Sequence, residues 1–149
     1  MIVSLRSYSF PAIRITDITY RRAEQNDVIS LINFIIKEFG NGWIDSIENG
    51  FLKDKISIYI ALDDKEIVGF ACFDVVRNKK GLFGPMGTAH SKKVQGIGYG
   101  LLHMCLREMK EKGYEYAVIG EAGPLEFYEK ACNAVVIPKP SNCRDGSTG

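Results

Sequence analysis

Residues 91–113 read SKKVQGIGYGLLHMCLREMKEKG. Gly96, Gly98 and Gly100 run directly into an apolar helical pattern, Leu102, Cys105, Leu106 and Met109, which Gly113 is placed to end. Lys92 and Lys93 stand just ahead of the glycines. A helix begins with unpaired N–H groups and the positive end of its dipole, so this stretch predicts an anion site, with a phosphate as the natural occupant. The glycines let phosphate oxygens approach the main chain with no side chains in the way.

Working outward, the elements on either side fall into order. Residues 15–22 alternate loosely and predict a first strand, with residues 1–14 as an extension before it. QNDVISLINFIIKEFGNGW puts Val28, Ile32, Ile35, Ile36 and Phe39 on one helical stripe, with Asn26 or Asp27 as cap and Gly40 as stop. WIDSIENGFLK predicts a shorter helix ending near Gly50. SIYIAL and IVGFACFDVV flank the polar turn DDKE and form a hairpin. In GLFGPMGTAH, Pro85 between Gly84 and Gly87 predicts a bulge or splay, because proline cannot donate to a sheet ladder. YAVIG is a wholly apolar strand, GPLEFYEKACNA a helix with Pro124 in its first turn, and VVI a last short strand before a loose tail over 139–149. The sum is a mixed α/β layer in which helices cover a sheet.

Composition narrows the function classes. The chain has 149 residues, 46% hydrophobic and 25% charged, with a formal net charge of +1. One domain is the expectation at this length, and no bulk field exists to attract nucleic acid or a membrane surface. Four cysteines (Cys72, Cys105, Cys132 and Cys143) lack metal-ligand spacing, and Cys72 and Cys105 read as small core residues. Arg6 and Pro11 interrupt the first residues, so neither a signal-peptide core nor a membrane span is expected, and a cytoplasmic location is the default.

Three phosphate loops can be set against residues 91–100. A Walker loop needs Gly-Lys-Ser/Thr before its helix, which is missing here, and a Rossmann turn needs Gly-x-Gly-x-x-Gly in the first strand-to-helix turn, whereas GIGYGL comes late in the chain. From Leu82 to Ile137 the chain resembles the GNAT superfamily of acetyl-CoA-dependent N-acetyltransferases, whose motif is Arg/Gln-x-x-Gly-x-Gly/Ala. One register places that motif on Lys93, Gly96 and Gly98, with lysine in place of Arg or Gln. The other matches it literally at Gln95, Gly98 and Gly100. Downstream, PLEFYEKACNAVVI resembles the family's FYEKxGF ending, with CNA standing where Gly-Phe is usual.

The resemblance implies an acetyltransferase-type fold: a mixed, mostly antiparallel sheet flanked by helices, with a splayed central strand pair. It implies acetyl-CoA as co-substrate, no metal, and a small-molecule or peptide amine as acceptor. Met86, Gly87 and Thr88 on the splayed strand, and Lys93, Val94, Gln95, Gly96, Ile97, Gly98, Tyr99 and Gly100 in the loop, are the implied cofactor-binding residues. Tyr128 stands at the tyrosine that commonly protonates the departing thiolate. Glu121, just past YAVIG, is a catalytic candidate as base, as ammonium anchor, or as a plain loop residue. Asp74 on the hairpin is a further acceptor-side candidate, His90 lies close to the splayed strand and reads as a solvated strand-end residue, and His103 reads as a surface residue of the cofactor-side helix. Few residues follow Ile137, so the closing strand is either missing or supplied by a partner or by the N-terminal extension. A homodimer would cover the edge so left open. Two other readings stand beside transfer: a degenerate module that binds acetyl-CoA as a sensor, and a small dinucleotide-binding oxidoreductase.

Overall fold

The computed structural model describes residues 1–11, 17–76, 79–90, 96–119, 125–132 and 134–135. Its centre is the hairpin β3 (Ile58–Asp63) and β4 (Glu66–Phe73), closed by a turn in which Asp64 takes a left-handed φ of 61°. On one side β2 (Ile18–Arg22) pairs with β3. On the other, β5 (Leu82–Thr88) pairs with β4, then β6 (Tyr116–Ile119) runs parallel to β5, and β1 (Ile2–Ser4) pairs antiparallel with β6. The order across the sheet is β1-β6-β5-β4-β3-β2, and β5–β6 is its parallel pair.

Two bulges shape the sheet. The β3–β4 register shifts by one between Ala61 and Leu62, which makes Val68 the extra residue and leaves it on the face opposite Phe70, two residues on. The β4–β5 register shifts between Ala71 and Phe73, so Gly84 and Pro85 together oppose Cys72. That is the irregularity the proline predicts, and the Gly84–Pro85 peptide is cis.

Each face of the sheet has its own core. On one, Ile58, Ile60, Phe70 and Cys72 meet Leu31 and Ile35 of α1 (Val28–Phe39) and Ile47 and Phe51 of α2 (Ile44–Phe51). Gly40, at φ 86°, ends α1 as its sequence position predicts. On the other face, Tyr59, Ala61, Ala71, Phe73 and Phe83 meet Ile97, Leu101, Leu102, Cys105, Leu106 and Met109 of α3 (Ile97–Glu111). Each such aliphatic side chain, fully buried, contributes about 1.5–3 kcal/mol of hydrophobic free energy. Cys72 and Cys105 are buried free thiols, as read from sequence.

The N-terminal residues do not form a mere extension. Ile2 sits opposite Val118 on one side and bridges Val135 on the other, with both N–H···O bonds of the Ile2–Val135 pair at 2.9 Å. Val3 and Leu5 are buried in the α3-side core. The strand position beyond β6 is thus supplied by residues 2–4 of the same chain, one of the options left open above. Of VVI, Val135 is in this bridge, and residues 136–137 lie outside the described set.

A buried ion pair fastens α3 to the far side of the sheet. The Arg22 guanidinium donates to both oxygens of Glu108 (Nη1 to Oε2 3.0 Å) and to the Ile56 carbonyl (2.6 Å), and the Tyr59 hydroxyl donates to Glu108 Oε1 at 2.7 Å. Burial pushes the Glu108 carboxyl up, but the hydrogen bonds from Arg22 and Tyr59 prevail and hold it below its ordinary value. A carboxyl lowered on folding contributes stability that is complete above its unfolded pKa of about 4.3 and is lost as pH falls through the folded value. Glu108→Gln is therefore expected to cost about 3 kcal/mol at neutral pH by leaving the guanidinium without its counter-charge. In urea unfolding, the gap between variant and wild type should close on acidification. A gap independent of pH would contradict the assignment.

Candidate active site

β5 remains paired with β4 along its length, but its ladder with β6 consists of Leu82↔Val118 and Phe83↔Ile119. β5 then continues to Thr88. Phe83↔Ile119 is the last β5–β6 pair among the described residues, and the splay expected from the sequence would begin just beyond it. Ala89 donates to the Val68 carbonyl at 2.8 Å. Antiparallel ladders alternate, so Gly87, one pair along, also faces β4, while the N–H and C=O groups of Met86 and Thr88 face away from it, toward the β6 side. Gly87 is thus accounted for by the ladder and by packing: a Cβ there would lie 2.5 Å from the Phe39 ring. Of the three β5 residues assigned to the cofactor, Met86 and Thr88 present main-chain groups at the fork and Gly87 does not.

The start of α3 lies across the same strand. Gly96 precedes the helix in a left-handed conformation, φ 73°, which favours glycine. The bond from Gly100 N–H to Gly96 O, 3.1 Å, is the first rung of the helical ladder, so the amides of Ile97, Gly98 and Tyr99 lie ahead of it. These three are the groups that can meet an anion. A Cβ on Gly98 would stand 3.7 Å from Met86 Cε and from Phe127 Cζ and 4.0 Å from Thr88 Cγ2, which puts Gly98 beside the fork. Gly100 differs. Its amide is inside the helix, and a Cβ there would come within 2.4–2.7 Å of the Tyr20 ring. Packing against β2, not an approaching ligand, accounts for that glycine. Lys93, Val94 and Gln95 lie outside the described residues, as do Lys92 and Glu121.

Tyr128 comes from α4 (Leu125–Cys132) and is 7% exposed. Its ring meets Phe83, the last paired residue of β5, edge-on at 6.4 Å, and Phe127 at 5.0 Å. The tyrosine therefore stands beside the last described β5–β6 pair. Burial, with a smaller contribution from the neighbouring Cys132 thiol, pushes its hydroxyl up to about 12. At neutral pH it is a phenol, able to donate a proton.

The other candidates fall elsewhere. Asp74 follows β4 at φ 63° and is buried. It accepts from Gly81 N–H at 2.8 Å, Tyr114 Oη at 2.6 Å and Lys112 Nζ at 3.2 Å, a set that ties the β4–β5 connection to the end of α3. His90 is 61% exposed at the end of β5, and its main-chain N–H (3.0 Å) and Nδ1 (2.8 Å) meet Glu38 Oε1 of α1. Sequence reading misses Glu38 because 52 residues separate it from His90. His103 is the clearest reversal: it is 2% exposed, not a surface residue. Among the described residues, no cluster of His, Cys, Asp and Glu could hold a metal, and no helix is long and apolar enough to cross a membrane.

Gly98→Ala should leave stability within about 1 kcal/mol of wild type, since the Cβ fits and helix propensity rises. Gly100→Val should lose about 1–3 kcal/mol by overpacking Tyr20. Paired thermal melts test this contrast, and equal losses would contradict the packing assignment.

Comparison with known proteins agrees with this fold. No curated protein matches the chain by sequence. The chain superposes on a GCN5-related glucosamine N-acetyltransferase region of a fungal multi-domain GH3 β-N-acetylglucosaminidase with a TM-score of 0.71 at 17% identity, covering 88% of this chain and 19% of that one. A GCN5-related N-acetyltransferase from Sphaerobacter thermophilus gives 0.70 at 19% identity, covering 87% of this chain and 45% of that one. The aminoglycoside N-acetyltransferase AAC(6')-Iy in complex with CoA gives 0.61 at 13%, covering 88% and 99%. The chain thus spans less than half the length of the first two, and identities this low speak to fold. The family model described as Acetyltransferase (GNAT) family matches residues 22–133, from the end of β2 to just past α4, and the chain belongs to that family.

Proposed function

We propose that the chain moves the acetyl group of acetyl-CoA to a primary amine by direct attack in a ternary complex. The observation that carries this reading is the convergence, beside the last described β5–β6 pair, of the Met86 and Thr88 main-chain groups, Tyr128 and the amides of Ile97, Gly98 and Tyr99; a fork opening there is part of the proposal. The pantetheine arm would pair with Met86 and Thr88 as a strand does, and the pyrophosphate would meet the α3 amides. Lys93, Val94 and Gln95, immediately before Gly96, complete the proposed phosphate loop, with Lys93 as a point charge.

In this reading the amine nitrogen attacks the thioester carbonyl and the carbon–sulfur bond breaks. The departing thiolate, from a thiol of pKa about 8.5, takes the Tyr128 proton. A phenolate from a hydroxyl raised to about 12 is strongly basic, so it recovers a proton through solvent from the ammonium group that becomes the amide. An alkyl amine of pKa about 10.4 arrives protonated and gives one proton to solvent through a water chain before its lone pair attacks, and Glu121 is the carboxylate proposed to anchor the ammonium form. Holding the two substrates together supplies most of the acceleration. The glucosamine and aminoglycoside acetyltransferases among the structural neighbours support an amine acceptor.

An amine-library screen that detects released coenzyme A thiol tests the reading. Wild type is expected to turn over at least one amine, and Tyr128→Phe should lower kcat about 100-fold with KM for acetyl-CoA within about twofold. Binding of acetyl-CoA without turnover of any amine would replace this reading with the sensor module.

A further inference from the structure

The chemistry above leaves His103 unused, yet this imidazole joins three separate parts of the chain. Its Nε2 lies 2.9 Å from the Ala131 carbonyl of α4. A carbonyl only accepts, so Nε2 carries the hydrogen. Nδ1, 2.6 Å from Tyr8 Oη, then accepts from the phenol, which belongs to the stretch that follows β1. The Tyr8 ring stacks on the imidazole at 5.7 Å and 17°, and Tyr99, one turn earlier on α3, meets it at 4.5 Å. Burial lowers the pKa of the ring, in keeping with a neutral tautomer fixed from both sides.

Ala131 lies three residues beyond Tyr128, in the last turn of α4. Carbonyls there have no partner within the helix, and a histidine is among the side chains that can supply one. The same turn is closed by the Ala134 N–H and Cys132 Sγ, both donating to the Tyr128 carbonyl at 3.3 Å. The way this turn is tied to α3 therefore fixes the backbone from which the Tyr128 ring projects toward Phe83.

We infer that His103 is the positioning residue for Tyr128: its Nε2–H, held in that tautomer by Tyr8, seats the last turn of α4 on α3 and thereby sets the phenol at the strand fork. The seat is a property of the folded chain. Its effect on turnover rests on the transferase reading proposed above.

Two substitutions separate hydrogen bonding from space-filling. His103→Phe keeps a ring in the stack and removes the donor, while His103→Gln keeps a donor and loses the ring. Hydrogen exchange reads the seat without any substrate. In His103→Phe, exchange of the α4 amides should rise about tenfold, the size of one buried hydrogen bond, while β3 and β4 stay protected. In the acetyl-transfer assay kcat should fall about tenfold with KM for acetyl-CoA within twofold, and His103→Gln should recover most of both losses. Unchanged α4 exchange in His103→Phe, or a larger loss in His103→Gln than in His103→Phe, would overturn the inference in favour of packing alone. Should His103→Phe not fold, Tyr8→Phe, which frees the tautomer but keeps the donor, must still loosen α4, and unchanged exchange there overturns the inference equally. Absence of turnover by wild type would sink the transferase reading and leave the exchange comparison to decide the seat.

Discussion

Everything proposed for the site depends on β5 being paired on one side and released on the other. Its ladder with β4 holds it in the sheet through Thr88, while among the described residues its pairing with β6 runs to Phe83, and the proposed site needs the stretch beyond to be open. A strand in that condition presents main-chain donors and acceptors that require partners. Gly84 and Pro85 bulge at the point of release, and the next residues turn alternate main-chain groups into the gap. The reading proposed above places the extended, amide-bearing arm of a ligand in that gap and its phosphate end at the helix start beyond it.

The rest of the molecule keeps the fork open and its three contributors in register. α3 is anchored at its far end by the buried Arg22–Glu108–Tyr59 cluster and by Asp74 with Lys112 and Tyr114, so its N-terminal turn is directed by contacts well away from the proposed anion site. α4 is fastened to α3 by His103, and β1 closes against β6 on the side away from β5. Gly69 and Gly87 allow close approach of α3 and α1 to opposite faces of the strands that frame the gap. Rigid elements thus carry each group, which is what chemistry based on orientation requires.

Most of the architecture was legible because its signals are local. The hairpin, the Pro85 bulge, the Gly40 stop and the helix after Gly96 each follow from a few adjacent residues, and the glycine loop with Tyr–Glu–Lys downstream resembles one family in particular. What sequence hid is long-range. β1 is three residues long, too short for a periodic signal, and becomes a strand only because β6 offers it an edge and Val135 a second one. His103 looks exposed on a helix read alone and is covered by Tyr8, 95 residues away. Gly100 reads as part of a phosphate loop until Tyr20 is found against it, and Glu38 meets His90 only through the fold. A carboxylate such as Asp74 invites a functional reading that its three partners remove.

The most direct measurement is calorimetric titration of acetyl-CoA into wild type and into Gly98→Glu. The substituted position has room for a Cβ, so the variant should fold, but its side chain and negative charge would enter the space among Met86, Thr88, Phe127 and the α3 amides. Micromolar binding by wild type that is abolished in a folded variant is the expected result. Equal binding by both proteins, or none by wild type, would contradict the placement of coenzyme A at the parting of β5 and β6.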